Sequence, residues 1–472
     1  MNTVELVFVP APGMGHLPPT LEMASRLAAR EPSISVNVLV MRLPSDTKID
    51  LYAQSLASTL HPRVKISYLP RHDDVVGNNA FESLFNLIES HKPDVANAVQ
   101  DLKHVSAFVV DITCTAMMDV ATSIGVPSCV FSPSSASLLG FICYMVELRD
   151  RHGVDVTNYG DSDDKLDFPA FLNPLPVTAV PQVFLTRETT DMGLETSRKC
   201  RDAKGLLINT FWELERIPLK YLSDLKLPPV YPVGPIVRLN GATSSTVSSN
   251  SSNTEILEWL DNQPRLSVVF VCFGSIGSFG EDQVKEIAAA LESAGYRFLW
   301  SLKPLPHEAS FRVRDDYATF EGILPEGFLG RTAEVGRVMG WVPQAEILSH
   351  PSVGGFVSHC GWNSILESIW SGVPIAAWPL FAEQQLNAFH MVAELGLATE
   401  IKMDYWADFE VGGRRMLIPA NEIEKAIREL MKEDSEQRKK VKEMSEIGKE
   451  ALKEGVGSSY LSLGQFIHDI LQ

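Results

Sequence analysis

Apolar residues along this chain gather in short runs, most of them β-branched, set apart by stretches with helical spacing. In the first half the runs are Val4–Val9, Val36–Met41, Ala107–Asp111, Ser128–Phe131 and Leu206–Asn209, with helical stretches such as Leu17–Arg30 between them. In the second half they are Ser267–Phe273, Phe298–Ser301, Arg337–Gly340, Gly354–His359 and Pro374–Leu380. Runs this short, punctuated by Gly and Pro and alternating with helices, predict βαβ units and a parallel sheet in each half. Near the C-terminus Ile423, Ala426, Ile427, Leu430 and Met431 fall at i, i+3, i+4, i+7 and i+8, one buried helical stripe. Arg438-Lys439-Lys440 then reads as a solvated helix face. A last helix carries Leu463, Phe466, Ile467, Ile470 and Leu471 on one side, and that side needs a cover. No period of 20–50 residues repeats, which excludes solenoids and propellers.

One stretch has no periodicity: Asn240–Asn253 is almost entirely Ser, Thr and Asn and reads as a flexible linker between the halves. With 472 residues, two cores are expected rather than one. Lys and Arg number 41 against 59 Asp and Glu, a formal charge of −18, which argues against nucleic acid or an anionic membrane as partner. A small anionic ligand is not excluded, because a local site can defeat the net field. Six scattered cysteines without C-x-x-C spacing suit a reducing compartment and give no metal-finger signal. Met1-Asn2-Thr3 runs straight into a strand without a basic or cleavable leader, and the apolar stretch Leu138–Val146 is too short to span a bilayer. A cytoplasmic protein is expected, in which the Asn250-Ser-Ser sequon has no secretory meaning.

In open parallel sheets ligands bind beyond the carboxyl ends of the strands, so chemistry is sought in the strand-to-helix loops. The first is Pro10–Pro19, with Gly13 and Gly15 for a tight turn and Pro18 or Pro19 for a helix start. A nicotinamide-dependent reductase is the alternative on such a scaffold, but its fingerprint needs a third Gly and an acid after the next strand. Here Pro18 stands at the Gly position and the next strand runs into Arg42-Leu43-Pro44. His16 is either a base or a capping or packing histidine. Asp111, ending an apolar strand at the same sheet edge, is either the N-cap of the following helix or the partner that orients His16. No nucleophilic Ser completes a hydrolase triad, since Ser275 lacks the Gly two residues before it. The loop Phe273–Glu281 offers a Gly-rich backbone with Ser275 for a phosphate, or is a structural turn; Ser278 and Glu281 are spaced as a capping box for a helix through Ala294.

The region Trp341–Gln384 holds the densest chemistry. A strand ends at His359, Cys360-Gly361-Trp362 make a turn, and Asn363–Ser371 form a helix closed by Gly372. His359 and the free N–H groups of Gly361–Ser364 converge on an anion site at a helix N-terminus. Glu367 is placed for a pair of vicinal hydroxyls, Trp341 for stacking on a base, and Glu383-Gln384 for a polyol.

These residues resemble the plant UDP-dependent glycosyltransferases of secondary metabolism. Their 44-residue donor motif matches WVPQAEILSHPSVGGFVSHCGWNSILESIWSGVPIAAWPLFAEQ, Trp341–Gln384, without a gap, and the likeness extends from the PxPGxGH-type loop at Pro10–His16 to the final helix. The resemblance implies a GT-B fold, two facing Rossmann-like domains: residues 1–239 for the acceptor, 240–253 as linker, 254–455 for the UDP-sugar, and 456–472 as a helix returning to the first domain. It implies that Trp341 stacks on uracil while the Val342 backbone pairs with it. Gln344 and Glu367 would hold the ribose, Ser275, His359, Gly361, Asn363 and Ser364 the pyrophosphate, and Trp362, Glu383 and Gln384 the sugar. Gln as the motif's last residue goes with glucose donors as a tendency. His16 would be the general base and Asp111 its partner, in a one-step inverting transfer that gives a β-glycoside.

No cofactor or metal is expected beside the UDP-sugar; Asp161-Ser162-Asp163 spells the metal motif of another glycosyltransferase fold but follows no apolar strand. Where relatives often carry a hydroxyl near the donor this chain has Pro133, leaving Ser132 or Ser134 to substitute. The acceptor is expected to be small and lipophilic, a flavonoid, phenolic or terpenoid, against Gly15, Met117, Ser134, Leu138 and Phe184, and the protein is expected to be a monomer. A UDP-sugar-binding protein without catalysis is a further alternative, which the presence of both His16 and Asp111 disfavours.

Overall fold

The computed structural model describes residues 4–43, 59–75, 77, 79–102, 104–155, 157, 164–185, 187–237, 251–305, 317–406 and 416–472. Two parallel sheets organise it. The first contains β1 (Val4–Val9), β2 (Ile34–Val40), β3 (Val64–Tyr68), β4 (Val105–Asp111) and β5 (Ser128–Ser132). A small antiparallel hairpin, β6 (Lys165–Leu166) and β7 (Leu175–Pro176), intervenes before β8 (Leu206–Ile208) and β9 (Val230–Pro232) complete the first sheet in the order β3-β2-β1-β4-β5-β8-β9. The second sheet contains β10 (Val268–Cys272), β11 (Arg297–Ser301), β12 (Gly336–Met339), β13 (Val353–Ser358), β14 (Ile375–Ala377) and β15 (Ala398–Glu400), in the order β12-β11-β10-β13-β14-β15.

Both orders reverse at the first strand. β1 lies between β2 and β4, and β10 lies between β11 and β13. A reversal of this kind leaves a crevice at the carboxyl ends of the two strands that flank it, because the helices that follow them leave on opposite faces. The loops after β1 and β4, and those after β10 and β13, are therefore the ones that can line a site.

Each sheet is buried on both faces, as near-continuous apolar strands require. Val7, Val9, Phe108 and Val110 point into one core of the first sheet, and Leu6, Phe8, Val36 and Val38 into the other. The second of these cores is closed by the final helix, Ser458–Leu471, through Leu463, Phe466, Ile467 and Ile470. Tyr231 donates to Asp469 at 2.6 Å, Ser458 to Glu213 at 2.9 Å, and the Arg30 guanidinium lies 3.6 Å from the centre of the Tyr460 ring. The apolar stripe Ile423, Ala426, Ile427, Leu430 and Met431 is buried as its spacing predicts.

Three expectations need correction. Arg438 does not belong to a solvated face: its guanidinium donates to the carbonyls of Gly354 at 2.8 Å and Leu430 at 3.0 Å, tying its helix to the second sheet. Ser278 and Glu281 form no capping box. The helix starts two residues later than the box requires, with Gly280 at its N-cap, so Glu281 reaches outward to Lys285 at 2.6 Å and the buried Ser278 hydroxyl finds no partner. Ser251–Asn253, at the end of the Ser/Thr/Asn-rich stretch, open a helix that runs to Asp261; residues 240–250 and the triplet Asp161-Ser162-Asp163 lie outside the described residues.

Candidate active site

The first crevice brings His16 and Asp111 together. Gly13 takes φ +134°, a conformation closed to other residues, and its carbonyl accepts from the backbone N–H groups of His16 and Leu17 at 3.2 and 3.1 Å. That turn delivers His16 to the start of the helix Leu17–Arg30. Its Nδ1 lies 2.8 Å from Asp111 Oδ2. The other oxygen of Asp111 accepts from the Thr113 N–H at 2.9 Å and hydroxyl at 2.8 Å. Both readings of Asp111 hold at once: one oxygen caps the turn Ile112–Met117, and the other orients the imidazole. The Asp111 side chain is fully buried while His16 keeps 29% exposure, so the histidine faces the cleft. Burial works against a charge on His16, but the charge and hydrogen bond of Asp111, with the charge of Glu383, outweigh it and raise its pKa above 6.5. With Nδ1 committed to Asp111, Nε2 is the nitrogen that can accept a proton.

The second crevice is built around His359. Gly274, with φ +77°, and Gly361 press on its ring from two sides: a Cβ on either would fall 2.5 Å from Nε2. His359 Nδ1 is buried without a hydrogen-bond partner. Cys360 carries φ +62°, strained for a side-chain-bearing residue, and this kink turns the chain from β13 into the helix Trp362–Ser371. That helix begins without a side-chain cap. Its first intrahelical bond runs from the Ile365 N–H to Gly361 at 3.0 Å, so the preceding amides have no acceptor within the helix. Orphan donors, a partnerless imidazole nitrogen and a glycine-lined approach define an anion site.

His359 carries no charge near neutral pH. Burial, together with the nearby Lys303 charge, drives its pKa down to about 3, so it serves as a neutral donor or acceptor. The permanent charge comes from Lys303 instead, a buried residue two positions beyond β11 whose ammonium donates to the Gly274 carbonyl. Lys303 lies outside the Trp341–Gln384 motif, and a lone lysine just past an apolar strand has no spacing that marks it.

Around this centre the Gln344 amide donates to Glu367 Oε2 at 2.7 Å and to the Ser364 hydroxyl at 2.8 Å. Burial pushes the Glu367 carboxyl up to about 7 against the pull of that bond. Trp341 leaves 46% of its surface exposed while Val342 is buried beneath it. Ser275 is half-buried in the loop after β10. Gln384 uses its amide oxygen to accept from the Leu380 and Phe381 N–H groups at 2.9 and 3.2 Å, which leaves its NH2 for another partner. Glu383 follows Ala382, another strained residue at φ +58°, and its pKa is raised by burial.

The crevices face each other and touch. Asn363 donates from Nδ2 to the carbonyl of Gly15 at 2.8 Å, and Trp362 from Nε1 to the carbonyl of Asn209 at 2.7 Å. Ser134 reaches Glu383 at 3.4 Å, and Ser135 reaches Asn387 at 3.2 Å. Trp362 is thus buried in the seam. Asn209, a polar residue at the carboxyl end of an apolar strand as Asp111 is, carried no spacing that set it apart as a contact of the second half. Met117 and Phe184 lie in the apolar core, and Leu138 is half-buried at its margin. Phe184 packs on Phe141 with ring centres 5.6 Å apart, and Phe141 on Phe168 at 5.4 Å, joining the segments expected to receive an acceptor.

Two facing Rossmann-like domains, with a carboxylate-paired histidine at one crevice and uncapped helix amides at the other, have the architecture of a GT-B glycosyltransferase. The comparisons with known proteins carry this to the family. The family model for UDP-glucoronosyl and UDP-glucosyl transferases matches residues 219–450. UDP-glycosyltransferase 71A15 of Malus domestica is 48% identical over 99% of both chains. UDP-glucose flavonoid 3-O-glucosyltransferase 6 of Fragaria ananassa is 47% identical over 99% of this chain and 98% of its own. The Medicago truncatula enzyme UGT71G1, solved with UDP-glucose, superposes with a TM-score of 0.88 at 36% identity over 100% of this chain and 99% of its own. A Siraitia grosvenorii transferase solved with UDP gives 0.85 at 42% identity, each chain covered in full. The chain belongs to the plant family 1 UDP-dependent glycosyltransferases, and its co-substrate is a UDP-sugar. A nicotinamide-dependent reductase is thereby set aside.

Proposed function

We propose that this enzyme transfers glucose from UDP-glucose to a hydroxyl of a lipophilic, aromatic acceptor of flavonoid or other phenolic type, with inversion to a β-glucoside. The observation that carries the mechanism is the 2.8 Å pair of His16 Nδ1 and Asp111, half-open to a cleft whose other wall is the His359 anion site. His16 Nε2 takes the acceptor's hydroxyl proton, the freed oxygen bonds to the anomeric carbon, and the bond from that carbon to the β-phosphate breaks as UDP leaves on the opposite side. Asp111 stabilises the imidazolium. Trp341 and Val342 take the uracil, Gln344 and Glu367 the ribose, and Ser275, His359, Gly361, Asn363 and Ser364 the diphosphate, with Lys303 supplying charge through the Gly274 loop. Glu383, Gln384 and Trp362 border the glucose. Ser134, which reaches Glu383, takes the part left open by Pro133, whereas Ser132 has a buried hydroxyl without a partner.

The flavonoid glucosyltransferase named above supports the acceptor class. Gly15, Met117, Ser134, Leu138 and Phe184 remain the residues we assign to its surroundings. We divide the chain into an acceptor domain 1–239, a linker 240–253 whose last three residues already belong to the helix that runs to Asp261, a donor domain 254–455 and a returning helix 456–472, and read the protein as a cytoplasmic monomer that needs no metal for transfer. Among the described residues no helix is long and apolar enough to cross a membrane.

The test is turnover of UDP-glucose and of UDP-galactose against a panel of flavonoids, phenolic acids and terpenoids. His16→Ala should lower kcat by about 10²–10⁴-fold while UDP affinity holds. Because the base must be neutral, the wild-type rate should climb with pH through a midpoint above 6.5, and Asp111→Asn should shift that midpoint downward. Near wild-type turnover of alcohol acceptors by His16→Ala would refute the mechanism.

A further inference from the structure

We infer that His72, His91 and Asp94 form a site for a divalent transition-metal ion of the zinc type, separate from the groups that bind donor and perform transfer. His72 lies in the segment after β3, and His91 is the residue at which the helix Ala80–Ser90 hands over to the helix Lys92–Gln100, which carries Asp94. Their donor atoms all lie within 4.8 Å of one another, the only such group of three among the described residues.

The contacts of His91 are what call for a cation. Its ring is fully buried, with Nδ1 2.8 Å from the Leu87 carbonyl and Nε2 3.1 Å from the Pro70 carbonyl. A neutral imidazole has one N–H and can satisfy only one of them. The shorter contact, back to the preceding helical turn, takes the proton on Nδ1. The Nε2 lone pair then confronts a carbonyl oxygen, two acceptors face to face, which a metal ion bound to Nε2 would relieve. The pairing of His72 with Asp94 points the same way. His72 Nε2 and Asp94 Oδ2 stand 2.8 Å apart, yet that buried oxygen receives no aligned hydrogen bond. Ligands of tetrahedral zinc, each about 2.0–2.1 Å from the metal, stand about 3.4 Å from each other, so this closer, unaligned pair would open by about half an ångström to take an ion between its atoms.

The donor chemistry fits. Two imidazoles and a carboxylate are a borderline-soft set suited to zinc. The bond from Nδ1–H to the Leu87 carbonyl is the outer contact by which a ligating histidine is held in its tautomer. The Pro70 carbonyl or a water can complete four-coordination. His72 and His91 rings stack with centres 4.2 Å apart at 23°, which sets their edges side by side. Both helices pack on the turn Ile112–Met117 that begins at Asp111. A bound ion would therefore brace the wall behind the catalytic pair, and no step of the transfer passes through it.

The test uses the full-length protein stripped of metal by chelation. One equivalent of Co²⁺ should give the visible d–d absorption of a tetrahedral site, Zn²⁺ should displace it, and Zn²⁺ should raise the unfolding midpoint. His72→Asn and Asp94→Asn, both at partly exposed positions, should weaken Co²⁺ binding by at least about tenfold; unchanged UDP affinity in the same variants shows that they fold. The absence of d–d bands, or equal binding by wild type and both variants, overturns the proposal. So does nitrogen NMR that finds both His91 nitrogens protonated in the presence of one equivalent of Zn²⁺, because an imidazolium satisfies the two carbonyls without a metal.

Discussion

A carboxyl group pushed up to about 7 by burial is half-ionised in neutral solution, and Glu367 is such a group at the place assigned to ribose. Two sugar hydroxyls donating to it favour the anion, so its pKa falls when the nucleotide arrives. UDP binding at pH 7 should release a fraction of a proton, seen calorimetrically as a heat that differs between buffers of different ionisation enthalpy. Glu367→Gln should remove that difference and weaken binding. The same group bears on stability in the opposite sense. An acid whose folded pKa is raised contributes fully below the unfolded value near 4.5 and loses that contribution as pH climbs towards 7. Glu367→Gln should therefore make the ligand-free protein more stable at pH 8, by on the order of 2 kcal/mol after discounting for residual solvent. Thermal melts of both proteins at pH 5 and pH 8 check the sign. Little of this was readable beforehand: the position of Glu367 in the motif was visible, but its burial and the Gln344 bond depend on how two helices from different loops meet.

At the scale of elements, the turn after β10 lies against the His359 ring, at the place we assign to the diphosphate. Gly274→Ala places a methyl group 2.5 Å from His359 Nε2 and also strains a backbone at φ +77°. Gly295→Ala, at φ +71° with nothing within 4 Å of the new carbon, brings strain alone. Both should lose about 1–2 kcal/mol of stability, but only Gly274→Ala should weaken UDP binding by tenfold or more, which titration calorimetry on the pair resolves. The helices and strands that carry these turns were largely legible. Leu17–Arg30 and the chemistry-bearing strands ending at Asp111, Cys272 and Ser358 follow from long β-branched runs or clear caps. β3, β9 and β15 were not, because strands of three to five residues with mixed burial have too few positions for a period to show. The failed capping box at Ser278 has a similar origin: its spacing is correct, but Gly280 offered the helix an equally good start two residues later.

For the whole molecule, the last helix is part of the first sheet's core although it follows the second sheet in sequence. Phe466 is 1% exposed and meets the Tyr231 ring edge-on at 5.4 Å. Phe466→Ala should cost about 3–5 kcal/mol, lowering the unfolding midpoint while leaving UDP affinity intact, since the lost packing lies on the face of the sheet remote from the donor loops. That something must cover this helix was evident from its stripe; the partner surface was named through family likeness, because a contact between distant segments leaves no local trace. The seam between the sheets was hidden for the same reason, Trp362 and Asn209 being 153 positions apart. Two of its bonds share a trait with a consequence for diversification, whereas Ser134–Glu383 and Ser135–Asn387 join side chains. Trp362 and Asn363 of the C-terminal half both donate to main-chain oxygens of the N-terminal half, those of Asn209 and Gly15. A carbonyl is present whatever side chain its residue bears. The N-terminal half, where we place the acceptor, can thus exchange side chains without renegotiating these two bonds, and recombined halves of related enzymes inherit in them a coupling that asks for a backbone path rather than a particular residue.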